Sequence, residues 1–396
     1  MNPLQIAWLN MMEGRARTLI SLIGVAFTVF LMLMQLGFLG AVVRTATQLY
    51  DHLDFELLLV SSEYATLRNP GTLPRGRLAL AREVDGVETV LPLGVSRGLW
   101  HGPHAWDHGL PPSRSVIFML GVDPATLDQV FAEPDRFLFR DSQDLASAGR
   151  ALTRGRTILL DRTSRPEFGA PEQRRPGSTT EMNNAVVEIV GEYEIGTGFD
   201  YNGMLLTSEE TFQTLTGRPG SEVSLGLVKL APGTAPEQAR EAVQEAVGPT
   251  VRVLTREQIN ESECDYWVKQ TSVGMFFGVG VLVAFIVGSI FVYQMFAGEI
   301  RSRLPALATA KAMGYTNRFL DAVMLWKALL LSLLGFFPGL ALALAFYKLT
   351  HHVASIPIAM TLERAATVLG LTILMCLCSG LLAVRKAHTA DPAELF

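Results

Sequence analysis

The fold is decided by an uncharged stretch, QTSVGMFFGVGVLVAFIVGSIFVYQMFAG, which runs from Gln270 to Gly298. Three other stretches also lack Asp, Glu, Lys, Arg and His, namely Thr18–Val43, Ala328–Tyr347 and Ala365–Val384. A helix needs about 20 apolar residues to cross the hydrocarbon of a bilayer. The sequence therefore predicts transmembrane helices at residues 18–43, 270–298, 328–347 and 365–384. The first is longer than the apolar part of a secretory signal, about 7 to 15 residues, so we expect it to be retained.

Lys and Arg are unevenly distributed among the short segments between these helices. With the N-terminus inside the cell, residues 1–17, 299–327 and 385–396 hold nine of them, and the short outer loop 348–364 holds two. Cytoplasmic loops carry the excess of Lys and Arg, so we expect both termini in the cytoplasm. Residues 1–17, with apolar residues at helical spacing, are predicted to form an amphipathic segment.

This topology places residues 44–269 on the periplasmic side as one insertion, large enough to fold independently. Its net charge of −10 argues against a nucleic-acid partner. Short β-branched and aliphatic runs alternate with helical patterns, which favours a mixed α/β domain. The predicted strands are Glu56–Val60, Glu88–Val95, Val116–Val122, Thr157–Leu160, Val186–Tyr193, Met204–Leu206, Leu225–Leu230 and Val251–Leu254. The predicted fold class is an α-helical membrane protein with four transmembrane helices and a large mixed α/β periplasmic domain between the first and second.

Helices are expected to connect this domain to the membrane. The first transmembrane helix should continue toward Asp51, and Thr255-Arg256-Glu257-Gln258 has the form of a capping box that begins a helix running into the second. Within the domain, Pro236–Val247 is predicted to be a helix, since Pro suits the first turn and Gly248 ends it. The segment Arg165–Met182, rich in Pro, Gly and Thr, is predicted to be an exposed loop.

Catalytic and metal-binding patterns are weak throughout. Ser96 has the glycine spacing of a nucleophile elbow but no helix pattern after it, so we interpret Gly94–Gly98 as a tight turn. His101, His104 and His108 fit no standard metal site, and we expect a solvated or hydrogen-bonded loop. We therefore predict no catalytic, cofactor-binding or metal-binding residue in this chain.

The energy source is expected to lie in a partner. The sequence has no Gly-x-x-x-x-Gly-Lys-Ser/Thr loop for nucleotide phosphates. The four uncharged stretches also lack the ionisable residues that ion-driven carriers use at membrane depth. Segment 299–327 has the pattern of two short helices with a corner at Gly314, and offers an apolar ridge to a partner's groove. The alternative is a helix resting on the lipid headgroups.

Two Gly-x-x-x-Gly pairs, Gly274 with Gly278 and Gly335 with Gly339, allow helices to approach closely. Packing within one subunit and a seam between two subunits are both open interpretations of these glycines.

The cytoplasmic loop Leu304–Tyr315, LPALATAKAMGY, and the ending ADPAELF at residues 390–396 resemble the FtsX/MacB superfamily of ABC-transporter permeases, closest to the DevC type. Supporting stretches are Val228–Thr234, Tyr266-Trp267 and Met375–Ala383. The resemblance covers essentially the whole chain and is strongest in its last third. It implies that Leu304, Leu307, Lys311, Met313, Gly314 and Tyr315 form a coupling helix against an ATPase.

The resemblance further implies a homodimeric, multi-pass permease of the bacterial inner membrane. Its partners would be a separate cytoplasmic ATPase that binds ATP and Mg, a periplasmic membrane-fusion adaptor, a TolC-like outer-membrane channel and membrane lipid. Mechanotransmission through the periplasmic domain would drive efflux of a lipid, glycolipid or other amphiphile. The alternatives are an FtsX-like subunit that activates a cell-wall hydrolase and a lipoprotein-releasing permease.

Overall fold

The computed structural model describes residues 2–101, 114–132, 145–198, 201–302, 317–354, 356 and 358–389. The chain divides into two compact units, one formed by Met1–Ala41 with Ser272–Phe396 and the other by Val42–Thr271. The first unit is helical and the second is a mixed α/β domain.

Within the described ranges, four helices are long and apolar enough to cross a membrane. They are α2 (Arg15–His52), α9 (Ser272–Ser302), α10 (Asn317–Ala354) and α11 (Leu362–Thr389). A short helix, α1 (Pro3–Glu13), comes first, and the Asn2 side chain accepts from the Leu4 amide at its start. Helix α2 ends at His52, which confirms the prediction that the first transmembrane helix continues beyond Val43.

The helical unit has a core to which all four long helices contribute. Its members include Leu33 of α2, Phe296 of α9, Leu331 of α10 and Met375 of α11, which are all buried. A hydrogen bond of 2.9 Å from the Ser379 hydroxyl to the Ser289 carbonyl joins α11 to α9. In an apolar bundle such bonds satisfy polar groups that lipid cannot, and they set the register between helices.

The second unit is built on one large sheet whose strands follow the order β11-β1-β10-β3-β4-β8-β5-β7-β6. The strands are β1 (Leu57–Ser61), β2 (Leu73–Pro74), β3 (Val87–His101), β4 (Arg114–Val122), β5 (Thr157–Asp161), β6 (Thr179–Met182), β7 (Ala185–Tyr193), β8 (Met204–Ser208), β9 (Glu222–Val223), β10 (Leu225–Leu230) and β11 (Val251–Thr255). Strands β2 and β9 form a separate small pair.

Part of the large sheet closes on itself. Strand β6 pairs with β7 and also with the end of β3, where Trp100 faces Met182 and His101 faces Glu181. The strands from β3 round to β6 therefore form a ring. Closure leaves no free edge on that part of the sheet, and a free edge would be a site for pairing with other chains.

The helices of this unit are short and pack on the sheet. They are α3 (Gly76–Arg82), α4 (Leu127–Val130), α5 (Leu145–Leu152), α6 (Glu209–Thr216), α7 (Pro236–Val247) and α8 (Arg256–Asp265). The open edge at β11 is covered by one side chain of α7, because the Gln244 amide donates to the Val251 carbonyl at 2.8 Å and accepts from the Val253 amide at 2.9 Å. This side chain takes the place of a neighbouring strand.

Both faces of the sheet are buried. Along β4, Phe118 and Leu120 belong to one apolar cluster, and Ile117 and Met119 belong to another. Successive residues of a strand point to opposite faces, so this alternation supplies two cores from one strand. The resulting apolar run is what made β4 recognisable in the sequence.

Several sequence predictions are confirmed. All eight predicted strands are present, α7 has the predicted bounds Pro236–Val247, and Thr255 and Gln258 form the predicted capping box at the start of α8. The short strands β2, β6 and β9 were not predicted. Runs of two to four residues carry too little periodicity to indicate a strand.

Two predictions about local structure are wrong. Segment Arg165–Met182 is not simply an exposed loop, because it contains β6 and the buried side chains of Phe168 and Arg174. The Arg174 guanidinium donates to the Ser164 carbonyl at 2.7 Å, and Phe168 packs in an apolar cluster with residues of the sheet. Residues 94–98 are not a tight turn but the middle of β3.

The predicted continuous helix from Thr255 into the second transmembrane helix is also wrong. Helix α8 ends at Asp265, a π-helical turn follows at Tyr266–Gln270, and Thr271 has extended backbone angles of φ −96° and ψ 162°. Helix α9 begins anew at Ser272. An extended residue cannot continue the helical hydrogen-bond ladder, so helical continuity is lost there.

Candidate functional site

The predicted coupling residues Leu304, Leu307, Lys311, Met313, Gly314 and Tyr315 lie outside the described residues. The structure does describe both helices that flank them, α9 up to Ser302 and α10 from Asn317. The ends of these two helices define the base from which a cytoplasmic coupling segment would project. The described part of the candidate site therefore consists of these two helix ends.

A buried ion pair joins the two flanking helices. The Lys327 ammonium of α10 donates a hydrogen bond to the Glu299 carboxylate of α9, and the two side chains are only 6% and 7% exposed. Burying two charges is costly unless they are paired with good geometry, so such a pair specifies one arrangement of its helices. Here it holds the end of α9 against the beginning of α10.

This ion pair was not predicted from the sequence. Glu299 and Lys327 stand next to two of the uncharged stretches, so they were counted as loop residues. The available signal was their position, because one acid and one base lie at opposite ends of the same loop. Sequence alone does not say that both belong to helices and face each other.

The N-terminal segment packs beside the ion pair. Glu299 and Lys327 line a cavity of about 40 Å³ together with Met11 and Arg17. The Arg17 guanidinium donates at 2.7 Å to the hydroxyl of Ser302, the last residue of α9, which precedes the predicted coupling segment. Helix α1 and the start of α2 thus belong to the same local structure as the ion pair between α9 and α10.

The two Gly-x-x-x-Gly pairs have different surroundings. A Cβ atom on Gly335 would lie 2.6 Å from Val25, and one on Gly339 would lie 2.6 Å from the backbone oxygen of Ala26. These glycines of α10 therefore pack against α2 of the same chain. Among the residues that the structure describes, no atom lies within 4 Å of such a Cβ position on Gly278 of α9, and Gly274 is half-buried.

The rejected catalytic pattern has a packing explanation. Ser96 lies within β3, and a Cβ on Gly94 would lie 2.8 Å from the Phe212 ring while one on Gly98 would lie 2.4 Å from Met182. The two glycines of the pattern thus make room for side chains on α6 and β6. No strand-to-helix turn exists at Ser96, so the geometry of a nucleophile elbow is missing.

The histidine-rich segment is only partly described. His101 ends β3, and its Nδ1 atom lies 3.8 Å from the Glu181 carboxylate, while His104 and His108 lie outside the described residues. Among residues that the structure describes, no group of three His, Cys, Asp or Glu side chains could hold a metal ion.

Comparison with known proteins connects the two units to one family. Residues 18–246 match the MacB-like periplasmic core domain, which is more than half of the chain, and residues 278–392 match the FtsX-like permease C-terminal domain. The chain belongs to the FtsX/MacB superfamily of ABC-transporter permeases. The permease match includes the ion pair, both flanking helices and the predicted coupling segment.

A curated relative of this permease is the pyoverdine export ATP-binding/permease protein PvdT of Pseudomonas putida, with 22% identity over the whole chain. The permease spans 59% of the length of that relative.

Two solved structures are similar to parts of the permease. One is the extracellular domain of the noncanonic ABC-type transporter YknZ from Gram-positive bacteria, with 12% identity, coverage of 51% of this chain and 99% of that one, and a TM-score of 0.36. The other is the periplasmic region of MacB from Actinobacillus actinomycetemcomitans, with 13% identity, coverage of 54% and 94%, and a TM-score of 0.39.

Proposed function

We propose that this permease is the membrane subunit of an ABC-type export complex in the bacterial inner membrane. A separate cytoplasmic ATPase binds ATP and Mg, and its hydrolysis cycle moves the periplasmic domain of a homodimeric, non-catalytic permease. This motion drives efflux of a lipid, glycolipid or other amphiphile through a membrane-fusion adaptor and a TolC-like channel. The DevC-type assignment and the cytoplasmic placement of both termini belong to the same proposal.

The observation that carries the proposal is the base of the coupling segment. The match to the FtsX-like permease domain, residues 278–392, includes the proposed coupling segment 303–316. The helices on either side of that segment are held together by the buried Glu299–Lys327 pair. A segment that receives force must project from a base that does not yield under load. The name of the relative PvdT, which combines ATP binding, permease and export, supports the same class of function.

The excess of Lys and Arg supports the orientation. Arg301 and Lys327 flank the proposed coupling segment, and Arg15 and Arg17 lie at the start of α2. Under the positive-inside tendency these residues are cytoplasmic, which puts residues 303–316 where an ATPase can reach them. On α1, Trp8 is 47% exposed and Leu9 is 49% exposed. Both side chains suit the interface between membrane and water.

The proposal is tested by substituting Leu307→Glu in the coupling segment. A charge on its apolar ridge should prevent docking into a partner groove, because a desolvated charge without a partner is costly. We expect the tagged wild-type permease to purify from native membranes with an ABC-type ATPase, identified by mass spectrometry, and the complex to hydrolyse ATP. The L307E variant should insert normally but lose both the ATPase and the ATP hydrolysis.

The control is Lys348→Glu, which changes an exposed charge near the other end of α10. This variant should keep the ATPase. Retention of the ATPase by L307E at the wild-type level would contradict the coupling assignment.

A further inference from the structure

Arg256, at the first position of α8, binds the end of α2. Its guanidinium donates to the Tyr50 carbonyl at 2.6 Å, to the Leu53 carbonyl at 2.8 Å and to the Phe55 carbonyl at 2.9 Å, and lies 4.1 Å from the centre of the Phe55 ring. The last carbonyls of a helix have no partner within it, and a positive group is favourable at that end. Arg256 therefore caps the 38-residue helix α2 from another helix.

Glu263 makes a second connection from the same helix. It lies seven positions after Arg256, which is about two turns and hence the same face of α8. Its Oε1 atom accepts from the Tyr64 hydroxyl, from the Tyr50 hydroxyl at 3.3 Å and from the Leu67 amide at 2.8 Å. Burial raises the pKa of Tyr64 well above its ordinary value, so its hydroxyl keeps the proton that it donates.

Glu263 is only 1% exposed, and Tyr50 is fully buried. An apolar side chain at position 263 would fill this site without the cost of burying a carboxylate. The carboxylate instead fixes orientation, because its Oε1 atom accepts hydrogen bonds from Tyr50 of α2 and from Tyr64 and Leu67 in the segment after β1. The contact defines one relative position of these pieces.

The strands extend this connection into the sheet. Helix α2 leads into β1 and β11 leads into α8, and β1 and β11 pair antiparallel with Leu57 opposite Thr255. Beyond α8, by contrast, the helix is interrupted at Thr271. Side-chain contacts with the end of α2 therefore hold α8 in place within this domain.

We propose that Arg256 and Glu263 form a clamp that makes the end of α2 and helix α8 move as one body. Under the proposed function, on which this role rests, the clamp is the route by which a displacement of α2 reaches α8 and the sheet edge at β11. Arg256 and Glu263 are positioning residues, since they act through the placement of α2. The sequence predicted that a continuous helix from Thr255 would place α8. In the structure this helix is interrupted at Thr271, and the clamp places α8 instead.

The test is hydrogen exchange, followed by mass spectrometry, of the full-length permease in lipid nanodiscs without any ATPase. The Glu263→Ala variant should raise the exchange rates of peptides from the end of α2 and from α8 together, by about tenfold or more, because buried donors lose their acceptor. Peptides from β4 should exchange as in the wild type. Glu263→Gln should restore most of the protection, since its amide oxygen can accept the same bonds.

The matched control is Glu261→Ala, which removes an exposed carboxylate from the same helix. It should leave all peptides at wild-type rates. Faster exchange of α8 with unchanged protection of the α2 end in E263A would overturn the clamp.

If E263A unfolds the whole domain, Tyr64→Phe decides, because it removes one donor and keeps the carboxylate. The joint loosening of α2 and α8 should then appear at smaller amplitude, and loosening of α8 alone would overturn the proposal. These measurements need no ATPase, so their failure is distinguishable from a failure of the L307E experiment.

Discussion

Glu299 and Lys327 depend on each other because both side chains are almost entirely removed from solvent. Removing one leaves the other as a buried charge without its partner in this ion pair. The loss on breaking such a pair is about 3–5 kcal/mol, whereas replacing both partners together can be neutral. The pair therefore contributes more to the choice of helix arrangement than to net stability.

We predict that Lys327→Met lowers the free energy of unfolding of the helical unit by about 3–5 kcal/mol. The measurement is thermal unfolding of the purified permease in detergent, followed by intrinsic fluorescence. The exchanged double variant E299K/K327E should recover most of the loss, and Arg301→Ala, on the exposed side of the same helix, should cost little. Equal melting temperatures for K327M and wild type would show that the pair does not hold α9 and α10.

At the scale of helices, α2 and α10 approach closely because glycine leaves the contact open. A Cβ on Gly339 would lie 2.6 Å from the Ala26 backbone oxygen and 2.8 Å from the Val29 side chain. A backbone atom cannot turn away as a flexible side chain can, so the helices themselves would have to separate. Small residues at such crossings are how transmembrane helices gain close packing.

We predict that Gly339→Ala destabilises the helical unit by about 1–3 kcal/mol through overpacking. Gly278→Ala is the matched control, because its Cβ would meet no atom of the described residues within 4 Å and Ala favours a helix more than Gly does. Thermal unfolding in detergent should therefore rank G339A below wild type and G278A at or slightly above it. The reverse order would contradict the α2–α10 contact.

At the scale of the whole molecule, α9 is the least buried of the four long helices. Only 17% of its most apolar 18-residue stretch is buried within the chain, whereas 33% to 44% of the corresponding stretch is buried in each of the other three helices. Its exposed apolar side chains are Met275, Phe276, Val279, Leu282, Val283, Ile286, Val287 and Ile290. No described part of this chain covers this surface, and Gly278, in the middle of the first half of α9, leaves room for close approach of another helix.

We predict that Gly278→Trp weakens the proposed homodimer, because an indole at this position blocks close approach of a second helix. The measurement is the molar mass of the detergent-solubilised permease by light scattering. Leu382→Trp on α11, where the native side chain is 58% exposed, is the control and should leave the dimer intact. A dimer that persists unchanged in G278W would place the seam elsewhere.

Much of the architecture could be predicted because its signals are local. Uncharged runs indicated four spans, β-branched runs indicated eight strands, and Thr255 with Gln258 indicated where α8 begins. The positions of Leu304 and Leu307 on a coupling helix remain a prediction, since they lie outside the described residues. Ring closure by β6 was not predictable, because it pairs residues far apart in sequence, such as Trp100 and Met182. The break at Thr271 and the burial of Arg174 were not indicated by any periodic pattern, although both residues make local hydrogen bonds.

By itself, the sequence determined how this chain divides between lipid and water, since hydropathy and charge act residue by residue along it. The tertiary structure alone decided which polar groups meet. It pairs Glu299 with Lys327, brings Arg256 and Glu263 to the end of α2, and assigns Gly339 to a contact within the chain. Those choices follow from burial, which makes an unsatisfied charge or a misplaced methyl group costly only once the helices have assembled.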